Sequence, residues 1–291
     1  MCIFVPLRVR CGEKVTYFGF LLRFLVIPIL ILLFVNLRGK DHPTPSFHHN
    51  KIWWGILVHI LLAVIYTTPW DNYLVATGVW YYNPELVTGI IIGYVPLEEY
   101  TFFVLETLMI GLWWWTLAKW KVLTPKTPFK PNKTLRIWTL SLLTILWVVS
   151  LFVLLSGWKP GTYLAITLTW ALPAIAPQLA FGADILWHHR RLLGTVILTG
   201  AGYLSVVDAI AIRAGTWTID PSQSTGIFIG NLPAEEAVFF VVTVVLISFG
   251  LTLWLSDISQ ERLQELKSHL GCLPGRGSIS ASDNVRPSRR L

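Results

Sequence analysis

The sequence predicts an all-α polytopic membrane protein with seven transmembrane helices, arranged as two parallel three-helix repeats joined by a connector helix. Three observations predict this fold. Charged residues make up only 13% of the 291 residues and hydrophobic residues 54%, whereas soluble proteins average roughly 25% charged. The apolar residues come in blocks of about 20, which is enough to cross a bilayer as a helix. A segment of 33 residues also recurs later in the chain.

The apolar blocks give the bounds of the predicted helices, which are 17–36, 53–69, 97–118, 138–157, 162–181, 192–212 and 234–255. No persuasive signal-peptide cleavage site follows the first block, so we interpret it as a membrane helix that is retained in the mature protein. Pro173 and Pro177 are expected to kink the fifth helix, which membrane helices tolerate. The chain then divides into a first repeat (1–120), a basic loop with the connector helix (121–160), a second repeat (161–256) and a tail (257–291).

The tail differs in composition from the rest of the chain. The segment SDISQERLQELKSHLG predicts a water-soluble helix that ends at Gly271. The following segment, GRGSISASDNVRPSRRL, is polar and predicts disorder. Such a tail is typical of a linker to a further domain.

The Lys and Arg residues predict the orientation in the membrane. The predicted helices place five of them on the N-terminal face and seventeen on the other, with Arg23 inside the first helix. The positive-inside rule therefore puts the C-terminus in the cytosol, and we expect the endoplasmic reticulum or another endomembrane. His188, His189, Arg190 and Arg191, with Asp184 beside them, fit a topology signal at the cytosolic end. Topology explains the net charge of +7, and nucleic acid is not an expected partner.

The internal repeat appears when the chain is shifted by 137 residues. Residues 71–103 then align with residues 208–240 without a gap, and 14 of the 33 positions are identical. Helices 2 and 3 thus correspond to helices 6 and 7, and an offset of four helices preserves direction, so the repeats are parallel. Asp, Gly, Pro and paired Glu do not recur by chance as apolar residues do, and we infer a duplication. Its identical pairs include Asp71 with Asp208, Trp80 with Trp217, Glu98 with Glu235, Glu99 with Glu236, Phe102 with Phe239 and Phe103 with Phe240.

The six repeated acids are the candidate site. Each Pro-x-Glu-Glu opens a helix, where carboxylates favour the positive end of the helix dipole, so the glutamates could simply be helix-start acids facing water. Capping does not require the same two acids twice, however, nor the aromatic residues that accompany them. Adjacent helical residues point about 100° apart, so at most one acid of each pair can point squarely into the bundle.

Glu106 is a further candidate acid, deeper in the third helix. Its repeat counterpart is Thr243, and it lies nearly on the face of Glu99. Placing a carboxylate at that depth in the membrane costs free energy, so such a residue is a functional candidate by default. The alternatives are a carboxylate paired with Arg23 or His59, or a protonated one.

The sequence lacks the motifs of several other classes of enzyme and cofactor-binding protein. The sequence contains no GxGxxG, Walker loop, HExxH or Gly-x-Ser-x-Gly. Cys2, Cys11 and Cys272 form no CxxC, and no predicted helix carries a patterned set of metal ligands. Helix 7 has no Lys for a retinal Schiff base. We therefore expect neither a metal nor an organic cofactor.

Acid-initiated alkene chemistry fits the residues that are present. Protonating a carbon–carbon double bond requires a strong acid that stays neutral until use, as a carboxyl group in an apolar site does. The carbocation requires a dry cavity, and aromatic faces stabilise it by about 2 kcal/mol or more when desolvated. A second carboxylate removes the final proton. Trp80, Phe102, Phe103, Trp217, Phe239 and Phe240, and further Tyr81 and Tyr82, could supply those faces or could simply pack the core.

The segments TTPWDNYLVATGVWYYNPE and GYVPLEEYTFF resemble lycopene β-cyclase of the heterodimeric or fused type. The chain is most similar to the cyclase domain of fungal bifunctional lycopene cyclase/phytoene synthases, over nearly all of residues 1–256. The resemblance implies two homologous three-helix units joined by an extra helix. It implies cyclisation of the linear ends of lycopene to γ- and then β-carotene. It implies that the acids of the family's motif correspond to Glu98, Glu99, Glu235, Glu236, Asp71 and Asp208. It also implies a phytoene synthase as partner or fused domain.

We therefore predict a membrane isoprenoid cyclase, an intramolecular lyase or isomerase whose partners are a lipophilic polyprenyl or carotenoid substrate and membrane lipid. Glutamine at 98, 99, 235 or 236 is expected to abolish ring closure. One alternative keeps the mechanism but acts on another polyprenyl substrate, for which Glu106 is the extra acid. A small-molecule transporter with parallel 3+1+3 repeats is an alternative of another class, although transporter sites lie near the midplane. A non-catalytic relic is a third.

Overall fold

The computed structural model describes residues 15–38 and 46–271. Within these ranges, seven helices are long and apolar enough to cross a membrane, which confirms the all-α membrane fold class. They are α1 (Tyr17–Arg38, with a π-helical turn at Leu22–Val26), α2 (Ile52–Ala76), α3 (Leu97–Ala118), α4 (Lys133–Leu155), α5 (Thr162–His188), α6 (Arg190–Ala214) and α7 (Ala234–Leu255). The predicted disordered tail and the three cysteines lie outside the described residues.

Helices α3 and α7 have the predicted bounds, but several other predicted ends are wrong. Helix α2 continues past Pro69 to Ala76, so Asp71 lies inside the helix rather than at its end. Proline costs one backbone hydrogen bond there, which membrane helices tolerate. Helix α5 continues to His188 through the non-helical residue Gly182. Helix α4 begins early, at Lys133, because the side chain of Asn132 caps it by accepting a bond from the Leu135 N–H.

Three short antiparallel strand pairs, which the sequence did not predict, lie at one end of the helices. Strands β2 (Ile91–Ile92) and β3 (Val95–Pro96) pair before α3, and β5 (Phe228–Ile229) and β6 (Leu232–Pro233) pair before α7. Strand β1 (Trp80–Tyr82) pairs with β4 (Trp217–Ile219) across the two halves of the chain. Strands of two or three residues are too short to leave a periodic pattern.

The elements of the first half recur in the second half at matching positions. Strands β1, β2 and β3 and helix α3 reappear 137 residues later as β4, β5, β6 and α7. In the β1–β4 pair, Tyr81 lies opposite Thr218, its own repeat counterpart. Helix α2 contacts α5 through a bond of 2.9 Å from the Tyr66 hydroxyl to the Trp170 carbonyl, and Tyr203 makes the matching bond of 2.8 Å to Phe24 of α1. These matches support the duplication, and the two-repeat arrangement remains a prediction.

Helices α3 and α7 form the centre of the bundle, and α4 lies at its edge. The apolar windows of α3 and α7 are 67% and 56% buried, compared with 6% for α4, which packs against α5. The outer face of α4 presents apolar side chains such as Phe152 and Leu155, as a lipid-facing helix does. A peripheral α4 fits the predicted role of a connector.

The tail helix α8 (Asp257–Gly271) extends to the last described residue and is held against the bundle. Asp184 of α5 accepts bonds of 2.8 and 2.7 Å from the guanidinium of Arg262. Its Oδ2 also accepts a bond from the Asn132 N–H. Asp184 is buried. Asp184 lies near the C-terminal end of α5, where it joins α5 to α8 and to the start of α4.

Candidate active site

The acid-rich ends of the helices enclose one small central cavity. Its volume is about 20 Å³, enough for a single water molecule. Both halves of the chain contribute to its wall, so the two copies of the motif form one site rather than two. The residues around it are Tyr17, Trp80, Tyr82, Glu99, Phe102, Asp208, Trp217, Glu236, Phe239 and Phe240.

The first glutamate of each pair faces the neighbouring loop. Glu98 accepts a bond of 2.6 Å from the Thr88 N–H. Glu235 accepts a bond of 2.6 Å from the Thr225 N–H and another from the Thr225 hydroxyl. Both carboxyl groups are buried. They therefore hold the loop before each helix in place, and they are not the water-facing acids of the alternative interpretation.

The second glutamate of each pair lines the central cavity and bonds to a tyrosine. The Tyr17 hydroxyl donates to Glu99 at 2.5 Å, and the Tyr163 hydroxyl donates to Glu236 at 3.0 Å. Tyr17 begins α1 and Tyr163 lies at the start of α5, so the two bonds occupy matching places in the two halves. Sequence reasoning missed both tyrosines. They are 146 residues apart, and a search at the offset of 137 does not pair them.

The two aspartates are buried beside these glutamates but differ in their partners. Oδ1 of Asp208 accepts a bond of 2.8 Å from Nε1 of Trp217. Among the described residues, neither oxygen of Asp71 has a hydrogen-bond partner, although its side chain is 0% exposed. Asp71 and Asp208 both lie within electrostatic range of Glu99. Three carboxyl groups, Glu99, Asp208 and Glu236, therefore line the cavity, and Asp71 is buried beside it.

Most of the predicted aromatic residues line the central cavity. Trp80, Phe102, Trp217, Phe239 and Phe240 are lining residues, and Phe103 lines the next cavity instead. Trp70, which the sequence did not single out, stacks on Phe239 at 5.4 Å with an interplanar angle of 4°.

The two adjacent tyrosines of β1 face opposite ways, as alternate residues of a strand do. Tyr81 is 52% exposed and therefore lies outside the site. Tyr82 lines the central cavity. Burial, with added repulsion from Asp71 and Glu99, raises the pKa of its hydroxyl well above the usual 10, so this hydroxyl stays protonated.

A second cavity, of about 230 Å³, adjoins the central one and contains Glu106. Phe239 lines both cavities. Glu106 accepts a bond of 2.8 Å from the hydroxyl of Thr243, its repeat counterpart. The alternative of a carboxylate paired with Arg23 or His59 is not what the structure shows: Arg23 is exposed on α1, and Nδ1 of His59 lies 2.7 Å from the Gly55 carbonyl oxygen.

Fold and site together define a polytopic helical membrane protein whose two halves enclose buried carboxyl groups among aromatic rings. Over residues 15–38 and 46–271, no group of three or more His, Cys, Asp or Glu side chains is placed to hold a metal ion. The sequence profile described as lycopene cyclase matches residues 14–115 and 160–255. The chain therefore belongs to the lycopene cyclase family, and it is an enzyme of that family.

Individual relatives agree with the family match. A lycopene beta-cyclase of Halobacterium salinarum is 38% identical over 200 residues, which are 69% of this chain and 81% of the relative. The bifunctional lycopene cyclase/phytoene synthases of Podospora anserina and Blakeslea trispora are 31% and 34% identical over 202 and 197 residues. These matches cover 67% and 66% of this chain but only 34% and 32% of the fungal proteins. No solved structure matches the chain.

Proposed function

We propose that this protein closes the linear ends of lycopene into β-ionone rings within the membrane. One observation carries the proposal: Glu99 and Glu236, one from each half, share a single aromatic-lined cavity, and each accepts a bond from a buried tyrosine. Membership of the lycopene cyclase family supports the reaction, since the relatives are named for it. The reaction involves no net oxidation or reduction, and we propose no cofactor.

The first step is protonation of the terminal double bond. Three carboxyl groups that line a space without room for bulk water, with Asp71 buried beside them, cannot all be charged, so at least one carries a proton. We assign the donor to Glu236, because its bond from Tyr163 is 3.0 Å long, as between neutral groups. The bond of Tyr17 to Glu99 is 2.5 Å long, which is typical of a hydroxyl bound to a carboxylate. Glu99 is therefore the anionic member of the pair.

Ring closure follows as the neighbouring double bond attacks the cation. The faces of Trp80, Trp217 and Phe239 line the cavity and stabilise positive charge by about 2 kcal/mol or more where water is excluded. Glu99 also stabilises the cation by its negative charge. The central cavity alone, at about 20 Å³, is too small for the ring, so we propose that the ring forms where this cavity meets the adjoining one of about 230 Å³. The aromatic side chains around the acids limit capture of the cation by solvent.

Deprotonation completes the ring and balances the protons. Glu236 gives one proton to the alkene, and Glu99 accepts one from the ring carbon when the ring double bond forms. The site resets when that proton returns from Glu99 to Glu236. We propose Asp71 and Asp208 as the groups that share this proton, since both lie within electrostatic range of Glu99.

Glu106 favours a second candidate substrate. It lies on the wall of the larger cavity rather than the central one, so we propose that it contacts substrate and does not initiate the reaction. A buried carboxyl group there suits a chain that carries a polar group. The alternative is therefore the same cyclisation of another polyprenyl compound, of the meroterpenoid or sesquiterpenoid kind.

We further propose that the protein works in the endoplasmic reticulum or another endomembrane, with its C-terminus in the cytosol. The fungal relatives that combine cyclase and phytoene synthase in one chain support a phytoene synthase as partner or fused domain. Such a domain would follow α8 on the cytosolic side.

Expression in cells that accumulate lycopene tests the proposal. Pigment analysis should find β-carotene, with γ-carotene as the intermediate. Unchanged lycopene in cells that contain the membrane-inserted protein would reject lycopene as the substrate. Feeding farnesyl- and geranylgeranyl-derived compounds to the same cells then tests the second candidate.

A further inference from the structure

Three neighbouring cavities, which together we call the groove, lie between the acids and the tail helix. The cavity that contains Glu106 shares Phe239 with the central cavity. A third cavity, of about 720 Å³, shares His59, Leu62 and Gln178 with the cavity of Glu106. Leu263 of α8 lines the far end of this third cavity. The three cavities therefore follow one another from the acids to α8.

The groove is bounded by four membrane helices and closed at its acid end. Residues of α2, α3 and α5 form its sides, residues of α7 form its floor, and residues of α8 lie at its far end. At the acid end, Tyr66 and Trp170 join α2 to α5 by a hydrogen bond of 2.9 Å and by stacked rings 5.9 Å apart. Along the floor, Phe239 and Trp254 are 15 residues apart, which corresponds to about 22 Å of helix.

Two polar side chains at the junction of the second and third cavities interact with the backbone. Nδ1 of His59 lies 2.7 Å from the Gly55 carbonyl oxygen, and Nε2 of Gln178 donates to the Leu246 carbonyl at 3.3 Å. Small residues line the middle of the groove, where Ala63 on α2 and Ala174 on α5 both border the cavity of Glu106.

We propose that this groove binds the part of the substrate that is not reacting. The proposal rests on the proposed function, and it assigns the groove to one occupant, the straight conjugated arm of a linear polyene. A conjugated chain cannot fold back on itself, so with one end at Glu99 and Glu236 its other end must extend along a straight passage. The groove begins at Phe239, beside those acids, and offers such a passage.

The volumes of the cavities fit both turnovers of a substrate with two ends. The cavity beside α8 has a volume of about 720 Å³, compared with about 230 Å³ around Glu106. In the first turnover the distant end of the polyene is linear. In the second turnover that end already carries a ring, and the larger cavity beside α8 has room for it.

Ala174→Trp tests the proposal, with Ala180→Trp as the matched control. Both alanines lie on α5, but Ala174 borders the groove whereas Ala180 is exposed on the helix surface. Each variant and the wild type are given lycopene and, separately, a shortened analogue that keeps one linear end and only a few double bonds. Ring closure is quantified for both compounds in membranes with equal amounts of protein.

The proposal predicts that Ala174→Trp closes rings on lycopene at least tenfold more slowly than the control but still acts on the short analogue. Activity on the analogue also shows that the variant is folded. Wild-type activity of Ala174→Trp on lycopene would overturn the proposal and leave a membrane acyl chain as the occupant. Equal loss on both compounds would overturn it too, because length would then not matter. Failure of the wild type on both compounds would instead reject the proposed function.

Discussion

Glu106 accepts a hydrogen bond of 2.8 Å from Thr243, the residue 137 positions further along the chain. This separation equals the offset of the internal repeat, so the bond joins equivalent positions of the two copies. Tyr81 and Thr218 do the same in the β1–β4 pair. Contacts between equivalent positions occur at a two-fold axis. They support a bundle in which α3 and α7 cross such an axis and the acids of both halves surround one cavity.

Thr243→Val should destabilise the fold by about 1–3 kcal/mol, because the buried Glu106 loses its hydroxyl donor. Thr243→Ser keeps the hydroxyl and should remain near the wild type. Unfolding in detergent micelles measures the difference. Equal stability of the Val and Ser variants would contradict a structural role for this bond.

Tyr163→Phe should slow ring closure about twofold to tenfold, which is the value of a hydrogen bond between neutral groups. Tyr163 positions the carboxyl group of Glu236, so we expect kcat to fall while KM stays nearly constant. Tyr94→Phe is the control, since Tyr94 is 64% exposed. A change in KM alone would show that Tyr163 acts on substrate binding instead.

Arg262→Met should cost about 3 kcal/mol, because it leaves the buried carboxylate of Asp184 without its bidentate partner. Lys267→Met changes an exposed charge on the same helix and should have little effect. Limited proteolysis of α8 provides a second measurement. Resistance of α8 to cleavage in the Arg262 variant would show that other contacts hold it.

Stability should fall as the pH drops from about 6.5 toward 4. His189 is buried against Phe47, and burial, with added repulsion from His188, lowers its pKa from 6.5 to about 4. Folding thus favours the neutral ring. The free energy of unfolding is therefore highest above pH 6.5. Below that pH protons bind the unfolded chain, and stability falls by about 1.4 kcal/mol per pH unit. His189→Phe should reduce the change in the unfolding midpoint between pH 7 and pH 5. If the midpoint changes with pH as much as in the wild type, the effect belongs to other groups.

The sequence predicted the centre of the fold better than its edges. The bounds of α3 and α7 were predictable because each Pro-x-Glu-Glu marks a first helical turn and both copies agree. The end of α2 was not predictable from the sequence. Pro69 and the polar residues after it resemble a helix stop, whereas in the structure neighbouring helices bury that turn. The pairing of β1 with β4 depends on contacts between the two halves, which local patterns do not reveal.

The site was predictable as a set of residues but not as an arrangement. Periodicity required the two acids of a pair to diverge, yet only the bonds of Glu98 to Thr88 and of Glu99 to Tyr17 indicate which one faces the cavity. Tyr17 and Tyr163 escaped notice because α1 and α5 correspond at an offset of 146, outside the gapless repeat. Aligning the starts of these two helices, at Tyr17 and Thr162, would have brought Tyr17 within one residue of Tyr163.

The most direct test of the account compares the two glutamates of each pair. Glu99→Gln and Glu236→Gln should abolish ring closure in lycopene-accumulating cells, because they remove the proton acceptor and donor. Glu98→Gln and Glu235→Gln should retain most of it, because the amide oxygen still accepts the Thr88 and Thr225 N–H bonds. Wild-type amounts of β-carotene with Glu99→Gln or Glu236→Gln, at normal protein levels, would contradict the account.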